Sequence, residues 1–457
     1  KTDNQASAVI GTATITDGGN DGTPGGGDDD RPEVASVSDT TVSEGDDATF
    51  TVTLTNDSTT DTTVSLTLAG DSADKNVDFT GTTVTVNGTE ISVAADGSFT
   101  VSVAAGDTAF NVVVNTTTDD TYEGDETFTV SAKTDNQASA VIGTATITDG
   151  GQGGDDDRPT LTVDNAGKVS EGDNASFNVT LSNPVDSDVE YTLTINPRSA
   201  EAADLTLNPD GTLTVLVEGT PVILTQHNGK FTGTVSLPGG TTDFSVSVPT
   251  FDDNENPVYE GNERFTLTVN ADILAPTGND NVGAATITDN GENQGDDDRP
   301  QLNVSGGGEV SEGDKAYFVV SLTKETENGP VDVKVDGDVT YTLSFGNTDG
   351  FTADDISSLS VNGVKLNSDQ IKAFFNGGFE ATLEGDVSDF KVNVKTHDDN
   401  VFEGDEGLTL VVTEGQFTTN GTASANAVFS DDGVIDGNPG GDDDRPTLTV
   451  DNAGKVS

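Results

Sequence analysis

Three segments of this chain alternate apolar and polar residues with a period of two. In the first, Ala48, Phe50, Val52 and Leu54 are interleaved with Thr49, Thr51 and Thr53. Ala175, Phe177, Val179 and Leu181 repeat the pattern, and so do Ala316, Phe318, Val320 and Leu322. A period of two sets one face of a strand on a core and the other in water. A second strand follows each segment, at Phe110, Val112 and Val114, at Phe244, Val246 and Val248, and at Phe390, Val392 and Val394. A third is predicted around Phe128 and Val130, Phe265 and Leu267, and Leu408 and Leu410. Each copy then closes on a short strand, Ala145 to Asp149, Ala285 to Asp289, or the more divergent Ala427 to Asp431. Thr and Val favour strands, and Gly, Asn and Asp favour the turns between them. The pattern predicts an all-β chain of tandem antiparallel β-sandwiches.

The landmarks recur in a fixed order, which marks internal repeats. Gly-Asp-Asp-Asp-Arg-Pro opens each copy, with Asp triplets beginning at Asp28, Asp155, Asp296 and Asp442, spaced by 127, 141 and 146 residues. Each interval suits a sandwich of about 100 residues with enlarged loops. Ser-Glu-Gly-Asp precedes each alternating strand, at Ser43 to Asp46, Ser170 to Asp173 and Ser311 to Asp314. Residues 1–19 repeat 133–151 without a mismatch, and 440–457 repeat 153–170. The expected organisation is therefore the last strand of a preceding repeat plus linker (1–27), three sandwiches (28–154, 155–295 and 296–440), and the first strand of a following repeat (441–457). The expected parent is a longer array. Its linkers, such as Gly18 to Gly27 and Gly150 to Gly154, are short and glycine-rich; the adjoining Asp triplet and Pro suggest a stiffer joint once a cation is bound.

Charge changes the picture. Of the 457 residues, 81 are acidic and 19 basic, a net charge of −62. Such a polyanion repels nucleic-acid phosphates and anionic membranes, and no apolar run is long enough to insert in a bilayer. Salt must screen the charge, or cations must bind and neutralise part of it. Hydrophobic residues reach only 32% and there is no Cys. Thin cores without disulfides need another staple, for which metal is the usual substitute.

The carboxylates are clustered, most sharply in the loop after the second strand. It contains Asp119, Asp120, Glu123, Asp125 and Glu126 in the first copy, and Asp398, Asp399, Glu403, Asp405 and Glu406 in the third. The middle copy carries an insertion between Asp252-Asp253 and Glu260-Gly-Asn-Glu263. So many carboxylates in so few residues repel one another unless a divalent cation sits among them. Ca²⁺ takes six to eight oxygens in irregular geometry, whereas Mg²⁺ demands an octahedron. Zn²⁺ is a poor match to a chain with no Cys and two His. The alternative is a solvated acidic turn. Neither His227 nor His397 recurs between copies, no nucleophile with a base partner is visible, and without Trp a sugar cleft is not expected. The chain is read as non-enzymatic.

Asp-Asp, a short spacer, Glu-Gly-Asp-Glu and a Phe-containing strand, with the opening Ser-Glu-Gly-Asp and the closing Thr-Ile-Thr-Asp, resemble the Calx-β family. Members include calcium-binding sandwiches of sodium–calcium exchangers, integrin β4 and large bacterial extracellular adhesins, among them the RTX type. The resemblance implies Ig-like sandwiches in an extended array and Ca²⁺ as the cofactor. Carried onto the first copy, the family's ligand positions fall on Glu44, Asp78, Asp119, Asp120, Glu123, Glu126 and Asp149. In the second they fall on Glu171, Asp252, Asp253, Glu260, Glu263 and Asp289, and in the third on Glu312, Asp398, Asp399, Glu403, Glu406, Asp431 and Asp432. Asp204 and Asp355 are the weaker mid-domain counterparts. The closing strands lack the acidic run many members carry. The missing carboxylates are expected from the next Asp triplet, Asp155 with Asp156 and Asp296 with Asp297, which would set ions at domain junctions. The expected function is a calcium-stabilised extender of a cell-surface adhesin or fibre, outside the cell, contacting neighbouring repeats of its own chain. The alternative is a self-assembling filament subunit with homotypic fibre contacts.

Overall fold

The computed structural model describes all residues except 1, 2, 5, 13–29, 150–155, 254–256, 277, 292–296, 385–386, 436–437 and 452–457. In the hairpin after residue 431, the side chains of residues 432, 434 and 438–442 also lie outside the description. The linker glycines 18–27 and 150–154, Asp28, Asp29, Asp155, Asp296 and the Asp432 side chain therefore fall outside it.

The first sandwich contains ten strands: β1 (Val34–Val37), β2 (Thr40–Ser43), β3 (Asp47–Leu54), β4 (Thr62–Gly70), β5 (Thr83–Val86), β6 (Thr89–Ser92), β7 (Ser98–Val103), β8 (Ala109–Asn115), β9 (Glu126–Thr134) and β10 (Val141–Thr148). They form two five-stranded sheets, in the orders β1-β3-β8-β5-β6 and β2-β10-β9-β4-β7. The period-two pattern has the predicted outcome: Ala48, Phe50 and Val52 are fully buried and Leu54 nearly so. Phe50 meets Phe128 edge to face across the two sheets, with ring centroids 5.8 Å apart.

The pairing of β2 with β10 positions the site. The opening strand is split between the sheets: β1 lies antiparallel to β3, whereas β2 runs parallel to β10, with Ser43 opposite Thr148. Parallel partners leave their ladder at the same end, so Glu44 and Asp149 emerge side by side. The same register sets Ser170 beside Thr288 and Ser311 beside Ser430. It therefore juxtaposes Glu171 with Asp289 and Glu312 with Asp431.

The other sandwiches repeat this plan with local additions. In the second, Thr220–His227 pairs with Leu213–Val217 on one side and Lys230–Leu237 on the other, merging the two sheets into one ten-stranded sheet. The third inserts the one helix among the described residues, Ser368–Phe375, into an otherwise all-β fold. Asn367 caps it by accepting from the N–H groups of Asp369 and Gln370, while the Gln370 side chain returns to the Asn367 N–H. Phe374 packs on Phe345 with centroids 4.9 Å apart. Three separate cores result, one per repeat. Beyond them, Leu448 and Val450 are exposed, unlike their buried counterparts Leu161 and Val163.

Candidate metal centres

Each sandwich gathers carboxylates at the end where β2 and β10, or their counterparts, leave the sheet. The first boundary cluster holds Glu44, Asp149 and Asp157, the second Glu171, Asp289 and Asp298, and the third Glu312, Asp431 and Asp444, each with ligand atoms within 4.8 Å of one another. A second cluster lies beside it, joining Asp78, Glu123 and Glu126 in the first sandwich and Asp204, Glu260 and Glu263 in the second. In the third, Asp355, Asp399, Glu403 and Glu406 line a cavity of about 130 Å³ together with Glu312 and Asp431.

The closing-strand aspartate organises the boundary cluster. Asp149 is 3% exposed, and Asp289 and Asp431 are 2% exposed. One oxygen, Oδ2, holds the acidic loop by accepting the Glu123, Glu260 or Glu403 N–H at 2.5, 2.7 and 2.7 Å. The other, Oδ1, is buried in all three copies and has no hydrogen-bond partner, as is Glu312 Oε2. An ionised oxygen buried without a partner costs several kcal/mol. Its recurrence at one position in three copies calls for a counter-charge. Oxygens on one Ca²⁺ at about 2.3–2.6 Å lie at most about 5 Å apart, so the all-oxygen donor set and its spacing fit that ion.

The opening turn brings the loop close. Gly45, Gly172 and Gly313 have φ of +78°, +79° and +79°, and Ser43 O accepts the Asp46 N–H at 3.0 Å. Gly at the third position of such a turn permits positive φ. A Cβ on Gly172 or Gly313 would lie 3.0 or 2.7 Å from the Cβ of Asp252 or Asp398, so glycine also clears space for the Asp-Asp pair. Above the turn, the Asp119 N–H donates to Glu44 Oε1 at 3.0 Å.

The crowding is visible in the acidities. Burial, reinforced by Asp119, Asp149 and Asp157, lifts the Glu44 carboxyl to about 7. Burial, with Asp253, Asp289 and Asp298, lifts Glu171 to about 9. Glu312 rises to about 7 through burial and then Asp431 and Asp399. In the second cluster, burial and then Asp78 raise Glu123 to about 7, and burial and then Asp204 do the same for Glu260. Glu406 rises to about 7 through burial and Asp355. Burial and a shared hydrogen bond also raise Glu126 beside Asp78 and Glu263 beside Asp204. Without a cation, crowding makes these carboxyls harder to ionise than a free glutamate.

Not every expected ligand is gathered in. Asp120 is exposed and lies in neither cluster of its sandwich. Asp156 is turned away by Arg158, which grips it at 2.8 Å through both Nε and Nη2. Arg299 does the same to Asp297 at 2.8 and 2.7 Å. The third aspartate of the triplet, Asp157, Asp298 or Asp444, enters the cluster instead. That role was missed in the sequence; the signal was the Arg two residues beyond the middle Asp. The mid-domain positions do deliver Asp204 and Asp355 to their sites.

The acidic loop also touches the next sandwich. The Tyr122 N–H donates to Pro184 O and its carbonyl accepts the Asp186 N–H, both at 3.0 Å. Val258–Tyr259 pairs in parallel with Lys334–Val335, and the Tyr259 ring stacks on Phe417 at 5.4 Å. Each tyrosine packs against the core of the following repeat.

Calx-beta domains match this sequence over residues 28–90, 93–151, 229–291 and 378–433, just over half of the chain. The chain belongs to the Calx-beta family. The first two matches fall on the single sandwich formed by β1 to β10, and the others on the later strands of the second and third. This is a non-catalytic, calcium-binding domain family. Among solved structures, the chain is similar to CBD12 from CALX1.2 at 14% identity, covering 53% of this chain and 82% of that one with a TM-score of 0.22. It is similar to the apo-form Calx CBD1 domain at 15% identity, covering 28% and 96% with a TM-score of 0.19. An endo-fucoidan hydrolase of glycoside hydrolase family 107 is similar at 12% identity, covering 86% and 43% with a TM-score of 0.17. A search of curated protein sequences finds no match. Within the Calx-beta repeats described, no helix is long and apolar enough to cross a membrane.

Proposed function

We propose that this chain is a calcium-stabilised extender: a run of Calx-beta sandwiches within a large extracellular adhesin or fibre, projecting a binding module from the cell surface. The observation that carries the reading is the composition of the boundary clusters. Each joins two residues of one sandwich, such as Glu44 and Asp149, to an aspartate of the segment leading into the next, Asp157. An ion held there ties a domain to its linker as well as closing the domain. Where calcium is scarce, the packed carboxylates oppose folding. At millimolar calcium, ions fill the clusters, and ligand at one hundred times its dissociation constant adds about 2.7 kcal/mol per site. That is large against a native stability of about 5–15 kcal/mol.

The test is thermal unfolding together with small-angle scattering of the whole chain, first in excess chelator and then in millimolar calcium. The expected outcome is a rise in melting temperature and a longer, stiffer particle with calcium. A rod of the same length and stability in chelator would overturn the reading.

A further inference from the structure

The two junctions between described sandwiches are not alike. At the first, Asn183 follows the long opening strand by two residues, and its side-chain amide donates to the backbone carbonyl of Asp157. Asn56 occupies the same position in the first sandwich and donates to the Asp30 carbonyl at 2.6 Å. In the third sandwich this position is Lys324, two residues beyond Leu322 as Asn183 is two beyond Leu181. There the Lys324 Nζ pairs with the Asp298 carboxylate. The pair is secluded: side-chain exposure is 17% for Lys324 and 0% for Asp298. Asp298 belongs to the second boundary cluster with Glu171 and Asp289, and Asp289 Oδ1 is buried there without a hydrogen-bond partner.

We infer that Lys324 is a built-in cation for the junction between the second and third sandwiches. Its ammonium holds Asp298, the linker member of the cluster, against the third sandwich whether or not a divalent ion is present. The cluster of Glu44, Asp149 and Asp157 has an amide at that position and depends on the external ion for its positive charge. Two consequences follow. In chelator, the second junction keeps more order than the first. A divalent ion at the second cluster faces a resident positive charge and binds more weakly than it would beside asparagine. A charge-assisted pair of this kind corresponds to about tenfold or more in affinity. The array therefore stiffens in steps as calcium rises. This inference rests on the calcium reading above.

Hydrogen exchange of the whole chain tests it, with the metal alone as the probe. The reporters are the Glu123 N–H on Asp149 Oδ2 for the first cluster and the Glu260 N–H on Asp289 Oδ2 for the second. In chelator, the Glu260 amide is expected to exchange about tenfold more slowly, relative to its value in calcium, than the Glu123 amide does. Lys324→Asn, which installs the residue the other copies carry, removes that advantage and tightens calcium at the second cluster by about tenfold. The reciprocal Asn183→Lys confers chelator resistance on the first junction. Equal loss of protection at both junctions in the native chain overturns the inference, as does a Lys324→Asn chain that matches the native one. If calcium protects neither reporter, the extender reading falls; the Lys324 lock is then judged by the native and Lys324→Asn chains in chelator alone.

Discussion

Replacing Glu44 by Gln separates a metal ligand from an ordinary structural carboxylate, because the two roles predict opposite signs in chelator. Glu44 Oε1 accepts the Asp119 N–H at 3.0 Å, and the Gln carbonyl can keep that bond. What the substitution removes is charge. The carboxyl rises from 4.5 to about 7 through burial and then the neighbouring Asp119, Asp149 and Asp157. At about 1.36 kcal/mol per unit, that is at most roughly 3.4 kcal/mol of strain in the ionised, ion-free site at pH 8. Glu44 is only partly buried, so solvent screening brings the figure to about 1 kcal/mol. Glu44→Gln should therefore stabilise the chelated chain by about 1 kcal/mol, a few degrees in melting temperature for a domain of this size. In calcium it loses a ligand oxygen of full charge. A tenfold weaker affinity shrinks the calcium-induced gain by about 1.4 kcal/mol. Calorimetry in chelator and in saturating calcium measures both changes, with exchange of the Glu123 amide assigning them to the first sandwich. A Gln variant that is less stable in chelator, or that retains the full calcium gain, would refute the metal-ligand role.

Other outcomes follow from the same geometry. The folded-state values of Glu44 and Glu312 (about 7) and Glu171 (about 9) exceed the unfolded 4.5. The chelated fold thus binds more protons than the unfolded chain across that window, and its stability falls as pH rises. Melting in chelator should be higher at pH 5.5 than at pH 8.5, and the calcium-induced gain should run the other way, because the metal takes the ionised carboxylates. Gly313→Ala must place a Cβ 2.7 Å from that of Asp398 at φ +79°, whereas Gly404, at φ +84°, has nothing within 4 Å. Both alanines pay the left-handed backbone cost of roughly 1 kcal/mol, so calorimetry should show Gly313→Ala as the more damaging of the two. Tyr259→Ala removes the stack on Phe417. Exchange of the Asp336 amide, which donates to the Tyr259 carbonyl at 3.0 Å, should then accelerate about tenfold while the third sandwich's own melting changes little.

The strands were legible in the sequence because their signal is local: Phe50, Phe177 and Phe318 stand at the predicted core positions and are fully buried. The acidic loop was legible for the same reason. The boundary cluster was reached only through the family resemblance, with its missing ligands expected from the next triplet; the parallel register between Ser43 and Thr148 that builds it, about a hundred residues apart, leaves no local trace. Within the triplet the aspartates are chemically equal in sequence, and the grip of Arg158 on Asp156 distinguishes that outward side chain from the buried Asp157. The helix at Ser368–Phe375 had a readable cap, Asn367 with Gln370 three residues on, but the β-rich context argued against it.

That non-local register also explains how the repeats can change size without losing the site. Repeat spacing grows from 127 to 141 and 146 residues, yet each copy keeps the opening glutamate beside the closing aspartate. In the first sandwich, β2 and β10 occupy one edge of their sheet and β7 the other; β1 and β6 bound the second sheet in the same way. Part of the added material lies at the edge of β6 and β7: the Thr220–Leu237 hairpin merges the sheets there in the second repeat, and the helix joins the corresponding edge strands in the third; the third also adds Gly329–Asp332 beside its opening strand, and the second lengthens its acidic loop. Growth at that edge leaves the β2–β10 ladder untouched. The β2–β10 register that presents the opening glutamate and the closing aspartate thus persists while the hairpins, helix and loops around it vary from repeat to repeat. At Lys324 the junction itself differs: the strand there is extended by pairing with Gly329–Asp332, and an ammonium stands where Asn183 stands in the second sandwich.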